Sequence, residues 1–205
     1  MLWRHLPLAG VIAVILIAGF VRPMVQLVRH GTFGVFLFRS GRPAQTLRDT
    51  LLIALLAGFI AHAITGPRRP RWVRLLVSET SATYEALQIA GAVLIIGGTV
   101  LFAAAQLNLG ASWRIGVDEG AKSGLVTGGL YRISRHPIFL GFLTVFTGYA
   151  LMMPTPLSLA LLLGAYAGFR TQAGTEEAYM VQTHGEPYRA YARRVGRFLP
   201  GVGKL

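Results

Sequence analysis

The chain contains no cysteine, which excludes disulfides, thiolate catalysis and cysteine-bound zinc or iron–sulfur clusters. Charged residues are scarce at 14% of 205 residues, and acidic residues are the scarcer kind, with 8 against 20 basic residues. Hydrophobic residues make up 53% of the chain, and the mean hydropathy is +0.54. This balance is far from that of soluble domains. The composition therefore predicts an integral membrane protein.

Several classes of binding site also lack their usual signals. The sequence has no Walker-type glycine loop, and the glycines between Gly91 and Gly98 lie inside an apolar run, which excludes a Rossmann nucleotide site. His30, His62 and His184 do not have the spacing of metal ligands, so no metal site is predicted. The net charge of +12 comes from basic residues beside apolar segments, where such residues set membrane topology. No nucleic-acid partner is expected.

Five apolar segments predict an all-α fold of about five transmembrane helices. A helix needs about 20 residues to cross a hydrocarbon core of about 30 Å. The first segment is interpreted as a membrane helix rather than a signal peptide, because it has no convincing cleavage site. The five segments are Leu6 to Val21, Leu47 to Thr65, Ala86 to Leu107, Pro137 to Met153, and Leu157 to Phe169.

The connections between these segments carry further signals. Pro154-Thr155-Pro156 is too short to do more than reverse the chain, which predicts an antiparallel helical hairpin. Residues 22–48 contain apolar stretches too short to span, and these predict an interfacial helix or a re-entrant piece. The stretch from Pro67 to Arg74, with Trp72 among arginines, is typical of an interface anchor.

The distribution of basic residues predicts the orientation. In a five-helix map, five basic residues lie on one side of the membrane and fifteen on the other. The positive-inside rule then places residues 108–136 and the C-terminus in the cytoplasm of a multi-pass cell-membrane protein. After Pro187 the tail has helical periodicity, which predicts an amphipathic helix on the cytoplasmic face. Its apolar stripe consists of Tyr188, Tyr191, Ala192 and Val195.

A polar loop before the fourth helix carries Tyr131, Arg132, Arg135 and His136. Such a loop beside hydrocarbon-length segments needs a water-filled cavity or a ligand. Pro137 suits the first turn of a helix, which places His136 at a helix N-terminus, where an anion is favoured. Simpler interpretations stay open: His136 as a cap, Arg135 reaching lipid phosphate, and Tyr131 as an interfacial aromatic residue.

Glu176 and Glu177 follow the fifth apolar segment. The negative end of a helix dipole disfavours carboxylates there, so a nearby cation is expected. Arg170 is one candidate, because it lies seven residues before Glu177 and shares its helical stripe if the helix continues. A cationic ligand is another candidate, and a solvated acidic pair is the alternative.

Taken together, these residues resemble the superfamily of isoprenylcysteine carboxyl methyltransferases and phospholipid methyltransferases. The resemblance covers roughly Asn108 to Pro200 and includes the alternation with two apolar helices. It divides the chain into residues 1–107, with about three helices and an interfacial connection, and a methyltransferase-like region, residues 108–205. The matching positions are Leu125-Val126-Thr127, Gly129, Tyr131, Arg135-His136-Pro137, Gly141, Glu176-Glu177, Gly185-Glu186, Tyr188, Tyr191, and Arg197 to Pro200.

The resemblance implies an all-helical membrane enzyme that binds S-adenosylmethionine in a cytoplasmic pocket and methylates a lipid or a small amphiphile. It implies that Leu125 and Val126 line the cofactor and that Tyr131 contacts it. It further implies that Glu176 holds a cationic or hydroxyl group of the cofactor. The residues expected at the cofactor's carboxylate end are His136, Pro137, Ile138 and Phe139, and the candidate catalytic residues are Arg135, His136, Glu176 and Arg170.

The chain departs from the isoprenylcysteine enzymes at two positions. Gln172 stands where those enzymes have a carboxylate-binding arginine, and Gly116 stands where they have a cofactor-contacting glutamine. Arg170 lies two residues away, about 200° around a helix, so it would substitute only if the helix broke near Gly174. A neutral amide does not give a charged bidentate anchor. An amine, thiol or hydroxyl acceptor is therefore favoured over a carboxylate.

Two other functions remain open from the sequence. Sterol-reductase-type membrane enzymes share a similar helical C-terminal half but use NADPH, for which more arginines near the cofactor phosphates are expected. A non-enzymatic membrane protein that has kept the fold is the other alternative, since Gln172 and Gly116 depart from the enzyme pattern.

Overall fold

The computed structural model describes residues 5–35, 37–38, 43–65, 76, 81–113 and 124–205. Three of its helices are long and apolar enough to cross a membrane, and a fourth is apolar but shorter. The chain is an all-α integral membrane protein, as predicted. In these residues the helices are α1 (Leu6–His30), α2 (Pro43–Thr65), α3 (Ala82–Asn108), α4 (Pro137–Met152), α5 (Pro156–His184) and α6 (Glu186–Arg194), with single 3₁₀ turns at Gly110–Ser112 and Gly129–Arg132.

Helix α1 is longer than its apolar run. A π-helical turn at Ile17–Val21 leads into a further α-helical part, Arg22–His30, which ends at Gly31 in the left-handed conformation with φ 70°. The wider π turn precedes Pro23 and takes up the distortion that a proline ring imposes within a helix. Residues 22–30 therefore continue the first helix and do not form a separate element. The predicted anchor at residues 67–74 lies outside the described residues.

Helices α3 and α4 pack closely in antiparallel order through facing glycines. A Cβ atom on Gly98 would lie 2.8 Å from the Val145 backbone nitrogen, and one on Gly141 would lie 2.8 Å from the Phe102 Cα. Gly91 and Gly148 approach each other in the same way. This is the close helix approach that small residues permit in membranes. These four glycines therefore set the short distance between the two helices.

Substituting Gly98 by alanine is expected to destabilise the protein by about 1–3 kcal/mol, because the new methyl group meets backbone atoms that cannot move away easily. Adjacent Gly97 is the matched control, since a Cβ atom there meets nothing within 4 Å. Gly97→Ala is expected to be neutral or mildly stabilising. Thermal unfolding of both variants in detergent checks this, and equal midpoints would contradict the assigned interface.

The predicted hairpin of α4 and α5 is present, and a capping box formed by Thr155 and Ser158 begins α5. Helix α5 then runs for 29 residues to His184, well beyond the predicted end at Phe169. Gly174 lies inside the helix and does not break it. The polar second half of α5 therefore continues past the apolar part and carries both glutamates.

Contacts at the two ends of the bundle match the alternation of the five-helix map. At one end, the Leu76 N–H donates to the Pro154 carbonyl at 2.7 Å, beside the hairpin turn. At the other end, the Gln26 side chain donates to the Ala111 carbonyl at 3.0 Å. The Arg135 N–H donates to the Gly196 carbonyl at 2.9 Å at that same end. The polar loop and the C-terminal segment are thus on one side, as predicted.

Candidate active site

The polar loop before α4 is fixed to the end of α3. Gly129 has φ 56°, and a Cβ atom there would collide with the Asn108 side chain, whose Oδ1 accepts the Leu130 N–H at 2.8 Å. Only glycine fits this conformation and this close approach. The following turn buries Tyr131, whose carbonyl accepts the Tyr191 hydroxyl at 2.6 Å. The loop and α6 are therefore held together.

Arg135 is buried and fully engaged by the protein. Its guanidinium donates to Glu177 Oε1 at 3.1 Å and 2.8 Å, through Nε and Nη2. It also donates to the carbonyls of Ala192, Val195 and Gly203 at 2.9, 2.6 and 2.8 Å. A charge buried in this way is tolerable only with such partners. Arg135 thus joins the loop, α5 and the C-terminal segment, and its contacts are structural.

Glu177 is the centre of a cationic cluster. Besides Arg135, it accepts Arg197 Nη2 on Oε2 at 2.7 Å, and His136 Nε2 lies 3.3 Å from Oε1. Burial by itself would raise the pKa of Glu177, but hydrogen bonds from His136, Arg197 and Arg135 lower it to about 2. This carboxylate is therefore ionised at any physiological pH, with both oxygens occupied by the protein.

Glu176 has a different environment. Its side chain is 41% exposed, against 5% for Glu177. Gln172 Nε2 donates to one carboxylate oxygen at 3.0 Å, and His136 Nδ1 lies 3.5 Å from the other. Glu176 therefore keeps part of its hydrogen-bonding capacity for a ligand. Gln172 supports this carboxylate from one turn before it on α5.

His136 lies at the N-terminus of α4 between the two glutamates. Its ring stacks on Phe139 at 5.4 Å, and the edge of Phe198 from the C-terminal segment lies 6.1 Å away. Burial lowers the pKa of His136, but the hydrogen bonds and charges of Glu176 and Glu177 outweigh this and raise it overall. Since each ring nitrogen faces a carboxylate, the doubly protonated imidazolium suits this position.

The raised pKa of His136 has a consequence for stability. A group whose pKa is higher in the folded state contributes stability below its ordinary value and loses that contribution as the pH rises through the folded value. The stability advantage of wild type over His136→Asn is therefore expected to be largest near about pH 5.5 and to fall toward about pH 9. Thermal unfolding of both proteins across this range measures it, and an advantage that grew with pH would contradict the assigned charge.

The remaining predicted cofactor residues differ in their burial and contacts. Leu125 packs against the buried cluster of Tyr188, Tyr191, Ala192 and Val195. The adjacent Val126 is half-buried. Burial, followed by the nearby charge of Glu176, raises the pKa of the Tyr131 phenol, which therefore stays protonated. Ile138 and Phe139 are half-buried on α4, and Pro137 begins that helix.

The structure gathers Arg135, His136 and Glu176 but not Arg170. Arg170 is exposed on α5, on a helix that continues without the break it would need to reach the position of Gln172. Gly116 lies outside the described residues. Sequence reasoning gave no site role to Arg197, although this residue begins the last segment of the family resemblance. The resemblance over Arg197 to Pro200 marks this residue, but the local sequence does not indicate that its partner is Glu177 on α5.

The C-terminal segment, residues 195–203, completes the cluster. It runs beside the loop, with the His136 N–H donating to the Arg197 carbonyl at 3.0 Å and a bridge between Ser134 and Gly196. Phe198 packs against the main apolar core. This segment covers His136 and Glu177 and keeps them away from solvent.

Comparison with known proteins gives one consistent family. Residues 87–187 match the family model described as phospholipid methyltransferase. The chain is 33% identical over 115 residues to protein-S-isoprenylcysteine O-methyltransferase A of Arabidopsis thaliana, covering 55% of this chain and 58% of that protein. It is 40% identical over 73 residues to methanethiol S-methyltransferase of Pseudomonas deceptionensis, covering 36% of this chain and 27% of that protein.

The fold also has a solved counterpart. The eukaryotic intramembrane Ras methyltransferase, an isoprenylcysteine carboxyl methyltransferase, superposes with a TM-score of 0.52 at 18% identity, covering 90% of this chain and 74% of that one. The sequence match spans somewhat more than half the length of the plant relative. The loop, the helical hairpin and the two glutamates all lie within the region matched by the family model. Together these comparisons support the resemblance of the chain to the superfamily of isoprenylcysteine carboxyl methyltransferases and phospholipid methyltransferases.

Proposed function

We propose that this protein transfers a methyl group from S-adenosylmethionine to a lipophilic or amphiphilic acceptor at the cytoplasmic face of the membrane. The observation that supports this most strongly is the pairing of one saturated and one partly free carboxylate around His136. Glu177 is fully used by the protein, whereas Glu176 is 41% exposed and retains capacity for a ligand. In this site Glu177 is held rigidly by its protein partners, and the carboxylate of Glu176 is available to bind a ligand.

The charges of the cluster fit the donor. Arg135, Arg197 and a protonated His136 face Glu176 and Glu177, which leaves one positive charge in excess. The amino-acid end of S-adenosylmethionine carries a carboxylate and an ammonium group. It suits this cluster, because each of its charges can pair with an opposite charge of the protein. Glu176 would hold the ammonium or a ribose hydroxyl, and the N-terminus of α4 would favour the carboxylate.

The chain's own contribution to the reaction is orientation and exclusion of water. S-adenosylmethionine supplies an electrophilic methyl group, whose bond to sulfur breaks with its electron pair left on sulfur while an acceptor lone pair forms the new bond. Alignment of acceptor, methyl and sulfur provides much of the rate. Phe198 beside His136, and Phe139 stacked on that ring, make the site apolar around its charges. An acceptor that arrives protonated also needs a base.

The acceptor is proposed to differ from a carboxylate. Gln172 occupies the position of the substrate-binding arginine of the isoprenylcysteine enzymes, and its amide already donates to Glu176 at 3.0 Å. Gln172 therefore supports the carboxylate of Glu176, which is proposed to bind the cofactor, and does not bind an anionic acceptor. An amine, thiol or hydroxyl on a lipid-like molecule remains the favoured acceptor. Methanethiol, named for one relative, shows that thiols occur as acceptors among similar proteins.

Titration calorimetry of the detergent-solubilised protein with S-adenosylhomocysteine tests the donor. Binding is expected, and a ligand at about 100 times its Kd should stabilise the fold by about 2.7 kcal/mol. NADPH, added at the same concentration, is expected to give no stabilisation. Stabilisation by NADPH without binding of S-adenosylhomocysteine would instead support a membrane reductase and end this proposal.

A further inference from the structure

A second buried polar cluster lies between α1 and the end of α3. Arg22, Gln26 and Gln106 are 3%, 2% and 2% exposed. The Arg22 guanidinium donates to the carbonyls of Gln106 and Gly110 at 3.2 and 2.6 Å. It also lies 4.9 Å from the centre of the Trp113 ring. These contacts satisfy the charge, so Arg22 is a fixed part of the structure.

The two glutamines of this cluster are not satisfied. Gln26 donates to the Ala111 carbonyl, but its Oε1 accepts no hydrogen bond, and neither the nitrogen nor the oxygen of the Gln106 amide has a partner. Among the described residues, three of the four buried side-chain atoms without a partner belong to these two glutamines. A buried amide left unpaired is unfavourable for folding and requires an explanation. A bound polar group would provide one.

The register of α3 against α4 places Gln106 beside the site. Phe102 packs on Gly141, and Gly98 packs on Val145. One turn further along this antiparallel pair, Gln106 is level with Pro137, which follows His136. The N-terminus of α4 thus lies near Gln106 of α3 as well as near the glutamates of α5. A ligand group at the glutamines would be next to the reacting centre.

We infer that Gln106 and Gln26 bind the polar head of the methyl acceptor and select an uncharged, hydroxyl-bearing amphiphile. This inference rests on the proposed methyl transfer and names the acceptor class for the same site. The unpaired atoms are two amide oxygens and one amide nitrogen, which call for a group that both donates and accepts. A carboxylate only accepts and would leave both oxygens unpaired. The fixed charge of Arg22 repels an ammonium head.

The test uses 1-dodecanol, dodecanoate and dodecylamine, which share one tail and differ in the head. Each is titrated into wild-type protein in lipid nanodiscs while the thermal unfolding midpoint is followed. The alcohol is expected to bind about tenfold more tightly than the acid or the amine, a factor typical of one or two hydrogen bonds. Gln106→Leu, of similar volume, is expected to weaken binding of the alcohol about tenfold.

Gln88→Leu is the matched control, because Gln88 lies at the other end of α3 and its amide already donates to the Met152 carbonyl at 2.7 Å. It should leave alcohol binding unchanged. Gln106→Leu should also leave the affinity for S-adenosylhomocysteine unchanged, and should not lower the midpoint of the ligand-free protein, because an unpaired amide is removed. If wild-type protein does not bind S-adenosylhomocysteine, the proposed function fails, whatever the result with the three amphiphiles.

Equal affinity for the alcohol and the acid, or no binding of the alcohol to wild type, would overturn the inference about the head group. A lower midpoint of ligand-free Gln106→Leu with unchanged alcohol binding would also overturn it, since that result identifies the amide as a structural group holding water.

Discussion

Glu177→Gln is expected to destabilise the protein by about 3–5 kcal/mol, because it leaves the buried Arg135 without a counter-charge. The side chain of Arg135 is 1% exposed, so water cannot replace the lost carboxylate. Arg197, at 26% exposed, can turn to solvent and adds less to this penalty. Chemical denaturation in detergent micelles measures the change. The substitution keeps the size of the side chain, so the effect reports the charge.

Glu186→Gln is the control for this prediction. Glu186 pairs with Arg193 on α6, and both side chains are more than half exposed. Ion pairs at such positions contribute little, so no measurable change is expected. If Glu177→Gln fails to express, the pair Arg135→Gln and Arg135→Gln/Glu177→Gln decides the matter. Adding Glu177→Gln to Arg135→Gln should cost much less than the about 3–5 kcal/mol expected in wild type, and a loss of that full size would show that the two side chains do not depend on each other.

Glu176→Gln is expected to weaken binding of S-adenosylhomocysteine about a hundredfold while leaving the fold intact. The loss corresponds to charge-assisted hydrogen bonds, which are worth about 1.5–3 kcal/mol. The fold should tolerate the change because Glu176 is 41% exposed and the new amide can still pair with Gln172. Calorimetry gives the affinity, and thermal unfolding without ligand gives the stability.

Different effects are thus expected at these two adjacent positions. Glu177→Gln should lower stability, and Glu176→Gln should lower ligand affinity. Glu186→Gln again serves as control and should bind S-adenosylhomocysteine as wild type does. Unchanged affinity in Glu176→Gln would remove this residue from the binding site and leave His136 and the N-terminus of α4 as the remaining candidates. A large loss of stability in Glu176→Gln would show that both glutamates are structural.

Local chemistry made part of this fold predictable from the sequence. Pro154 and Pro156 cannot continue a helix, so the hairpin turn follows from backbone geometry alone. Pro137 suits the first turn of a helix, and the structure begins α4 there with His136 before it. The apolar stripe of the tail, which includes Tyr188 and Tyr191, is buried as its periodicity predicted.

The lengths of two helices were not predictable from apolar runs. Hydropathy marks only the part of a helix that contacts hydrocarbon, and both α1 and α5 continue into polar sequence. Pro23 is a signal for a helix end, but the preceding π turn accommodates it. Gly174 weakens a helix by about 1 kcal/mol relative to alanine, which is too little to end one with partners along its length.

The different environments of Glu176 and Glu177, one exposed and one buried, were not predictable either. Adjacent residues on a helix point about 100° apart, so packing against Arg135 decides which carboxylate is buried. That packing depends on contacts between residues 42 apart in sequence. The unpaired amides of Gln26 and Gln106 depend on tertiary contacts for the same reason, since nothing in their local sequence distinguishes them from satisfied glutamines.

The donation by Arg135 to the carbonyls of Ala192, Val195 and Gly203 sets an order of events during synthesis. Helices α1 to α5 leave the ribosome before the residues that receive these hydrogen bonds. Until residues 192–203 follow, the Arg135 guanidinium therefore lacks three of its carbonyl partners. Assembly of the cluster around Arg135 is thus a late event of biogenesis, because it needs residues 192–203.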